Sequence, residues 1–259
     1  MHVWAVANQK GGVGKTTTTV CLAGLLREQG HRVLMVDLDP HGSLTSYFKY
    51  DPDEIEFSTY DLFMHEGKVP DALPKQIIRN TSSEGIDLFP ASTALATLER
   101  KVAGQGGMGL VISKALATLW DDYEFVIIDT PPILGVLMIN ALAAAQRLLI
   151  PVQTEYLAVK GLERMTHTLG MVMQSTKKQL PFTIIPTLFD RRTHASIHAL
   201  KKIRELYGDQ VYSESIPVDT KFRDASEIGK VPSELDVDGR GVRVYRHLLN
   251  TLLNTANAA

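Results

Sequence analysis

Cysteine is almost absent from this chain, since Cys21 is the one cysteine among 259 residues. A single cysteine excludes an intrachain disulfide and any metal site built from several cysteines, including an iron–sulfur carrier. The formal net charge is only -2, so a surface coated in positive charge is excluded and any nucleic-acid contact must come from a local patch. This composition fits a reducing compartment, and we expect a cytoplasmic protein.

Long apolar runs are also missing, because no stretch reaches the 18 apolar residues of a membrane-spanning helix. The closest run, residues 136–152, is interrupted by Asn140, Gln146, Arg147 and Pro151, and it predicts a helix, a turn and a strand. The first residues, MHVWAVA, lack the charged start and apolar middle of a secretion signal. We therefore expect a soluble protein without membrane insertion.

The length and the 44% of apolar residues predict one domain over residues 1–259. Strand-like runs alternate with segments of helical spacing, which predicts an α/β fold: a mainly parallel twisted sheet with helices on both faces. Such sheets bind ligands at the carboxyl ends of their strands. The predicted strands span residues 3–7, 33–36, 125–128, 148–152 and 182–188, and the predicted helices span residues 16–29, 136–145, 158–173 and 196–207.

Residues 50–120 have a weaker pattern. They predict a helix near residues 59–64, a short strand near 86–89, and helices broken by GQGGMG at 104–109. Residues 226–241 contain glycine, proline and acidic residues, which predict a loop before a final helix over residues 242–253.

The stretch NQKGGVGKTTT, residues 8–18, lies between a predicted strand and a predicted helix, as a phosphate-binding loop requires. Backbone amides of its glycines can converge on phosphate oxygens at the positive end of the helix. Lys15 is predicted to reach the β- and γ-phosphates, the Thr16 hydroxyl to bind Mg²⁺, and Thr17 to contact the α-phosphate. The alternative is a glycine-rich turn that precedes a helix by chance. The predicted nucleotide-binding residues are Gly11, Gly12, Val13, Gly14, Lys15, Thr16 and Thr17.

A second motif, DLDPHGS, follows the predicted strand at 33–36. Alternation along the strand puts Asp37 and Asp39 on the same side, beside the phosphate loop. Asp39 is predicted to orient the attacking water and to lie at the metal, while Pro40 and Gly42 form a turn that could sense the γ-phosphate. The alternative for Asp39 is a cap for a helix beginning at Ser43.

A third motif, FVIIDTPP at residues 125–132, is an apolar strand ending in Asp129. A carboxylate in this position can hold Mg²⁺ through water, as in the Walker B pattern. Alone the motif is weak, because an aspartate after a strand is common. With the phosphate loop it predicts a metal site that comprises Thr16, Asp39 and Asp129.

The motif KGGVGKTT resembles the deviant Walker A box of the ParA/MinD family of ATPases. It departs from the common phosphate-loop pattern at Gln9, where that pattern has glycine. The resemblance implies a P-loop NTPase fold with ATP and Mg²⁺ as cofactors. In that family the early lysine, here Lys10, crosses the interface of an ATP-dependent homodimer to touch the partner's nucleotide. It would then act like an arginine finger supplied in trans. The alternative for Lys10 is a solvated charge on a turn.

The resemblance covers nearly the whole chain, through the segments at 134–145, 151–162, 186–193 and 216–226. The family pattern D-x-D-P-Q-G has His41 here in place of glutamine. Pro217 and Asp219 fall where the family cradles adenine. Because the phosphate loop starts at Asn8, we expect no room for the DNA-binding domain that precedes it in some plasmid-partition relatives.

Many ParA proteins bind DNA nonspecifically through basic residues of the C-terminal part. Here Val218 replaces a frequent arginine, and neighbouring acidic residues favour the alternative of a solvated helix face. The tail LLNTLLNTANAA lacks the lysines and aromatics of a membrane-binding helix. The candidate DNA contacts are Arg191, Arg192, Lys201, Lys202, Arg204, Lys221 and Arg223.

The segments DPHGSLTSYF and IPVDTKFRDAS are similar to the ParA-like proteins called ParC, which place chemotaxis arrays at cell poles. This resemblance implies a slow ATPase that is stimulated by a protein partner or polar scaffold and is recruited to the pole. The second hypothesis is a partition ATPase that uses DNA as its track on the nucleoid. The third is a metabolic ATPase or kinase with a small-molecule acceptor.

Overall fold

A computed structural model describes residues 1–101, 107–177 and 179–256 of the chain. Its strands are β1 His2–Val6, β2 Val33–Asp37, β3 Arg79–Asn80, β4 Ile86–Phe89, β5 Phe125–Asp129, β6 Arg147–Gln153 and β7 Phe182–Thr187. They form one seven-stranded sheet in the order β3-β4-β2-β5-β1-β6-β7. All neighbours pair in parallel except β3, which runs antiparallel to β4 at the edge.

The helices cover both faces of this sheet. Alternation along β1 sends Trp4 and Val6 into one buried cluster and Val3 and Ala5 into the other. The helices are α1 Lys15–Glu28, α2 Ser43–Tyr47, α3 Thr59–Leu62, α4 Leu73–Ile77, α5 Leu98–Lys101, α6 Val111–Ala117, α7 Val136–Ala144, α8 Tyr156–Thr176, α9 His194–Tyr207, α10 Lys221–Ile228, α11 Pro232–Leu235 and α12 Arg240–Ala256. Helices α1 and α12 pack in the first cluster, and α6, α7 and α8 pack in the second. The predicted α/β fold class is confirmed.

The strand register brings the predicted motifs to one edge. Val6, Asp37 and Asp129 are paired across β1, β5 and β2, so all three mark the carboxyl ends of their strands. The phosphate loop leaves β1 at this edge, and α1 begins after it. None of the described helices is both long and apolar enough to span a bilayer.

The prediction of a loop over residues 226–241 is wrong. This stretch contains the end of α10, all of α11 and the start of α12. Gly229 ends α10 in the left-handed conformation, and Pro232 opens α11. The glycine and proline signals thus mark helix boundaries closely spaced along the chain.

The weak pattern of residues 50–120 resolves into short elements. The helix expected near residues 59–64 is α3, followed by a 3₁₀ turn at Phe63–His65, and the expected strand is β4. Of the GQGGMG break, residues 104–106 lie outside the described residues, and Met108–Leu110 form a 3₁₀ turn before α6.

Candidate nucleotide-binding site

The phosphate loop adopts backbone conformations that depend on glycine. Gly12 has φ 72° and Gly14 has φ 92°, in the left-handed region, and Gly14 directly precedes Lys15 at the start of α1. A Cβ atom placed on Gly11 or Gly12 would meet no atom within 4 Å. The loop therefore borders open space at the N-terminus of a helix, where an anion is favoured.

Two neighbouring strands hold this loop in place. The Asn8 side-chain amide donates to the Pro151 carbonyl in β6 at 2.7 Å. The Thr187 hydroxyl at the end of β7 donates to the Val13 carbonyl at 2.7 Å. Val13 is one of the predicted nucleotide-binding residues, but its side chain is fully buried. Its contribution to the loop is therefore made by its backbone.

Lys15 folds back over the loop. Its Nζ donates to the Lys10 carbonyl at 3.2 Å, and the residue is only 7% exposed. Burial lowers the pKa of Lys15, while the carboxylates of Asp129 and Asp39 oppose this shift. A buried cation with one neutral partner retains donors for a phosphate.

Lys10 extends in another direction. Its Nζ pairs with the Glu155 carboxylate and lies 3.4 Å from Gln153 Oε1. Gln153 is the last residue of β6, and Glu155 lies two residues after it. About a third of its side chain is exposed. The two lysines therefore occupy different surroundings, although the trans role of Lys10 stays a prediction.

Asp129 meets the phosphate loop at the end of β5. The Thr16 hydroxyl donates to Asp129 Oδ2 at 2.6 Å, and the Thr130 amide donates to Oδ1 at 3.1 Å. Burial, followed by the nearby charge of Asp37, raises the pKa of Asp129 to about 7. Thr16 and Asp129 are thus together, as the metal-site prediction requires.

Asp37 closes the turn that follows β2. Its Oδ2 accepts from the Thr45 amide at 2.9 Å and from the Thr45 hydroxyl at 2.7 Å, while Oδ1 accepts from the Asp39 amide at 3.0 Å. The residue is fully buried, and burial raises the pKa of its carboxyl to about 7. Asp37 therefore shapes the turn that carries Asp39.

Asp39 lies in the wall of a cavity that also includes Gly12, Lys15 and Thr16. Its Oδ1 accepts from the His41 backbone amide at 3.0 Å and lies 2.7 Å from His41 Nδ1. Helix α2 begins after Gly42 without a side-chain cap. Asp39 is thus not the helix cap of the alternative reading.

Oxygen donors that suit Mg²⁺ lie at and next to this phosphate cavity. Thr16 and Asp39 are in its wall, and Asp129 accepts the Thr16 hydroxyl behind it. Mg²⁺ prefers oxygen ligands and keeps several waters when it binds with phosphates. Within the described ranges, no group of three or more His, Cys, Asp or Glu side chains could hold a metal ion. One hydroxyl and two carboxylates are few protein ligands, which suits Mg²⁺ because this ion keeps waters and phosphate oxygens as its other ligands.

A second cavity continues from the phosphate cavity. Both include Gly14, Thr17 and Leu188 in their walls, and the second is completed by Pro217, Asp219 and aromatic side chains of α10 and α12. The predicted adenine residues thus border a space contiguous with the loop. Both Asp219 oxygens already accept backbone amides, Oδ1 from Lys221 and Oδ2 from Gly241, each at 3.0 Å. Asp219 therefore supports this wall by accepting backbone amides at the starts of α10 and α12.

The seven basic candidates for DNA are spread over the segment after β7, helix α9 and helix α10. Four of them have partners within the chain: Arg192 pairs with Asp190 at 2.8 Å, Lys201 with Glu205 at 3.7 Å, Lys221 with Asp224 at 3.3 Å, and Arg204 donates to the Ser213 carbonyl at 2.6 Å. Surface pairs of this kind are weak and can exchange for phosphates.

Three of the basic candidates lie at cavities. Arg223 borders the second cavity, and Arg191 and Arg192 border another cavity beside Pro217.

Sequence reasoning missed several residues that shape the site: Glu155, Gln153, Thr187, Thr45 and Tyr245. Thr187 ends β7, and Gln153 and Glu155 end and follow β6. The rule that ligands lie at the carboxyl ends of parallel strands could have identified these three. Thr45 and Tyr245 act through tertiary contacts and carry no local signal.

Comparison with known proteins decides the family. A family model described as an AAA domain matches residues 1–182. The chain is 36% identical over 245 residues to the sporulation initiation inhibitor protein Soj of Bacillus subtilis, covering 94% of this chain and 95% of Soj. It is 32% identical over 253 residues to the chromosome partitioning protein ParA of Myxococcus xanthus, covering 97% and 88%. The chain belongs to the ParA family of P-loop ATPases.

Solved structures agree with this assignment. A Mycobacterium smegmatis protein described as cobyrinic acid a,c-diamide synthase, with bound ADP and magnesium, has a TM-score of 0.84 and 36% identity, covering 99% of this chain and 96% of that one. The McdA–ATP complex from Cyanothece has a TM-score of 0.83 at 22% identity, with 97% and 96% covered, and shows the shared fold. The chain is a ParA-type positioning ATPase that uses ATP and Mg²⁺.

Proposed function

We propose that this ParA-type ATPase is a switch that dimerises when it binds Mg²⁺-ATP and separates after hydrolysis. The observation that carries the proposal is the divergence of Lys10 and Lys15. Lys15 turns over its own loop, whereas the Lys10 side chain extends to Glu155 at the end of β6. A second chain placed across this edge would bring its own Lys10 to the nucleotide.

In this proposal each group of residues in the site has a separate role in hydrolysis. The amides of the glycine loop and Lys15 bind and neutralise the phosphates, and Asp39 positions the attacking water, because phosphoryl transfer depends mainly on positioning and charge stabilisation. Thr16 and Asp129 are placed to hold Mg²⁺, which would supply positive charge against the phosphates. Lys10 of the partner subunit supplies the remaining positive charge.

Sedimentation of the wild type, Asp39→Ala and Lys10→Ala with Mg²⁺-ATP, together with their ATP turnover, tests this proposal. Asp39→Ala is expected to bind ATP and accumulate as a dimer, because only water positioning is lost. Lys10→Ala is expected to bind ATP and remain a monomer with little hydrolysis. A normal ATP dimer of Lys10→Ala would refute the action in trans, and near-normal turnover of Asp39→Ala would reject the role of Asp39.

For the cargo, we propose a chemotaxis array at the cell pole, reached from the cytoplasm through a protein scaffold that also stimulates the ATPase. The segments DPHGSLTSYF and IPVDTKFRDAS support this proposal by their similarity to ParC proteins. A pull-down with the ATP-locked Asp39→Ala protein tests it. Recovery of array or polar proteins supports the proposal, and their absence from the bound fraction contradicts it.

A second candidate is partition of a chromosome or plasmid along nonspecific DNA. The similarity to Soj and to ParA of Myxococcus xanthus favours it. A mobility shift of random duplex DNA by Asp39→Ala separates the two. Binding that needs ATP and weakens steeply with salt supports the DNA track, and its absence at low salt supports the protein scaffold.

A third candidate, a metabolic ATPase with a small-molecule acceptor, is favoured by the description of the Mycobacterium smegmatis structure as a diamide synthase. Amide formation from a carboxylic acid would make ATP turnover depend on that acid. Hydrolysis at full rate without any acceptor would exclude this candidate.

A further inference from the structure

His41 makes a contact with Asp39 that the ParA resemblance does not explain, because glutamine usually occupies this position. His41 Nδ1 lies 2.7 Å from Asp39 Oδ1, and the His41 backbone amide donates to the same oxygen at 3.0 Å. Both residues border the phosphate cavity. The imidazole is otherwise open, since 75% of the side chain is exposed.

The contact joins a carboxylate oxygen to a ring nitrogen whose role as donor or acceptor depends on the tautomer. In the tautomer with its proton on Nδ1, the ring donates to Oδ1. Two donors from one residue then converge on a single oxygen. A carboxylate held at one oxygen by a main-chain donor and a side-chain donor has little freedom to rotate.

The second oxygen of Asp39 has a different environment. Among the described residues, no side chain or backbone amide donates a hydrogen bond to Oδ2. Asp39 itself is only 9% exposed and lies beside Gly12 and Thr16 in the cavity wall. Fixing Oδ1 therefore leaves Oδ2 as the free acceptor of a carboxylate beside the phosphates.

We propose that His41 is a positioning residue for ATP hydrolysis, which holds Asp39 through Oδ1 so that Oδ2 is directed at the attacking water. The inference rests on the proposed role of Asp39. In this chain a histidine, in place of the usual glutamine, would hold the carboxylate in the turn after β2. His41 contacts no reacting atom and acts through the carboxylate.

The test is steady-state hydrolysis at saturating Mg²⁺-ATP with His41→Ala and His41→Asn. Asparagine branches at Cγ as histidine does, so its Nδ2 can reach the same oxygen. We expect kcat to fall about tenfold or more in His41→Ala, because misplacing a catalytic group is costly, and to recover to within about threefold of wild type in His41→Asn. ATP affinity should change less than about twofold in both variants.

A control separates positioning from damage to the fold. His65→Ala removes an exposed histidine outside the phosphate cavity and should leave kcat, ATP affinity and thermal stability unchanged. Because the His41 ring is mostly exposed, His41→Ala should also keep the thermal stability of wild type. Sedimentation should show that His41→Ala still forms the ATP dimer.

Three results would overturn the proposal: a normal or raised kcat in His41→Ala, an equal loss in His41→Asn, or a loss explained by weaker ATP binding. Asp39→Ala separates this failure from that of the proposed function. If Asp39→Ala is inactive while His41→Ala is normal, only the inference about His41 fails. If Asp39→Ala is itself active, the role of Asp39 fails.

Discussion

Five positions separate Lys10 from Lys15, yet the loop between them sends their side chains to different places. Gly12 and Gly14 take left-handed conformations that other residues rarely adopt, so the chain reverses before α1 begins. Lys15 then starts the helix and folds back onto the Lys10 carbonyl. The Lys10 amine instead pairs with Glu155, just after β6. The loop conformation thereby buries one lysine at the phosphate cavity and leaves the other partly exposed.

Lys15→Ala is expected to abolish nucleotide binding. Lys15 is a nearly buried cation at the phosphate cavity, and charge-assisted hydrogen bonds to phosphate are among the stronger ones. We expect the Kd for an ATP analogue, measured by calorimetry, to rise by about 100-fold or more, since each tenfold change needs only about 1.4 kcal/mol. Lys68→Ala, an exposed lysine outside the cavity, is the control. Unchanged ATP affinity in Lys15→Ala would count against the phosphate loop.

At the level of elements, the wall of the second cavity depends on how α10 and α12 meet. Asp219 precedes α10, and its two oxygens accept the amide of Lys221 in α10 and the amide of Gly241 in α12. A carboxylate at the N-terminus of a long helix is also favoured by the helix dipole. Asp219 thus joins two helix starts beside the space predicted for adenine.

Asp219→Ala should therefore weaken ATP binding with little effect on kcat. Both helix starts lose an acceptor, and we expect the free energy of unfolding to fall by about 1–2 kcal/mol. Denaturant unfolding and the KM for ATP are the measurements. Asp219→Asn keeps one acceptor and should give an intermediate KM. A large drop in kcat at unchanged KM would mean that Asp219 acts in the reaction.

Helix α12 also contacts the helix that follows the phosphate loop. The Tyr245 hydroxyl lies 2.8 Å from Thr18 Oγ1, and both residues are buried. Tyr245→Phe leaves Thr18 without this partner and should lower the free energy of unfolding by about 1–2 kcal/mol. In the double variant with Thr18→Val the two losses should not add, because one hydrogen bond is removed in both. Additive losses in denaturant unfolding would show that the bond contributes nothing.

The sequence predicts those elements whose signal is local. The central strands are buried on both faces and read as continuous apolar runs, and the glycine loop and FVIIDTPP carry their chemistry in consecutive residues. Helices α10 and α11 were missed because their boundary residues imitate a loop. The links from Tyr245 to Thr18 and from Thr187 to Val13 join residues far apart in the chain, so no local pattern could indicate them.

At the scale of the whole molecule, both cavities lie at the carboxyl edge of one sheet, and Lys10 sits at the same edge. In a twofold dimer the same surface faces itself, so each chain would offer its Lys10 to the other's nucleotide. Two complete sites then need two copies of each lysine. Removing either lysine from both chains destroys both sites.

Mixing two inactive variants tests this arrangement without a structure of the dimer. Lys10→Ala binds ATP but cannot complete its partner's site, whereas Lys15→Ala binds no ATP but still carries Lys10. In a mixed dimer one site combines Lys15 of the first chain with Lys10 of the second. Because neither variant is expected to dimerise with its own kind, the dimers that form are mixed. Each mixed dimer has one complete site out of two, so hydrolysis should recover to at most about half of the wild-type rate.

The control replaces the second protein with the double variant Lys10→Ala and Lys15→Ala, which can complete no site. Recovery with Lys15→Ala and none with the double variant would show that the two lysines act on one nucleotide from different chains. If both mixtures remain inactive although sedimentation shows that mixed dimers form, Lys10 acts within its own chain. The site would then be complete in a single molecule, and dimerisation would have no part in the chemistry.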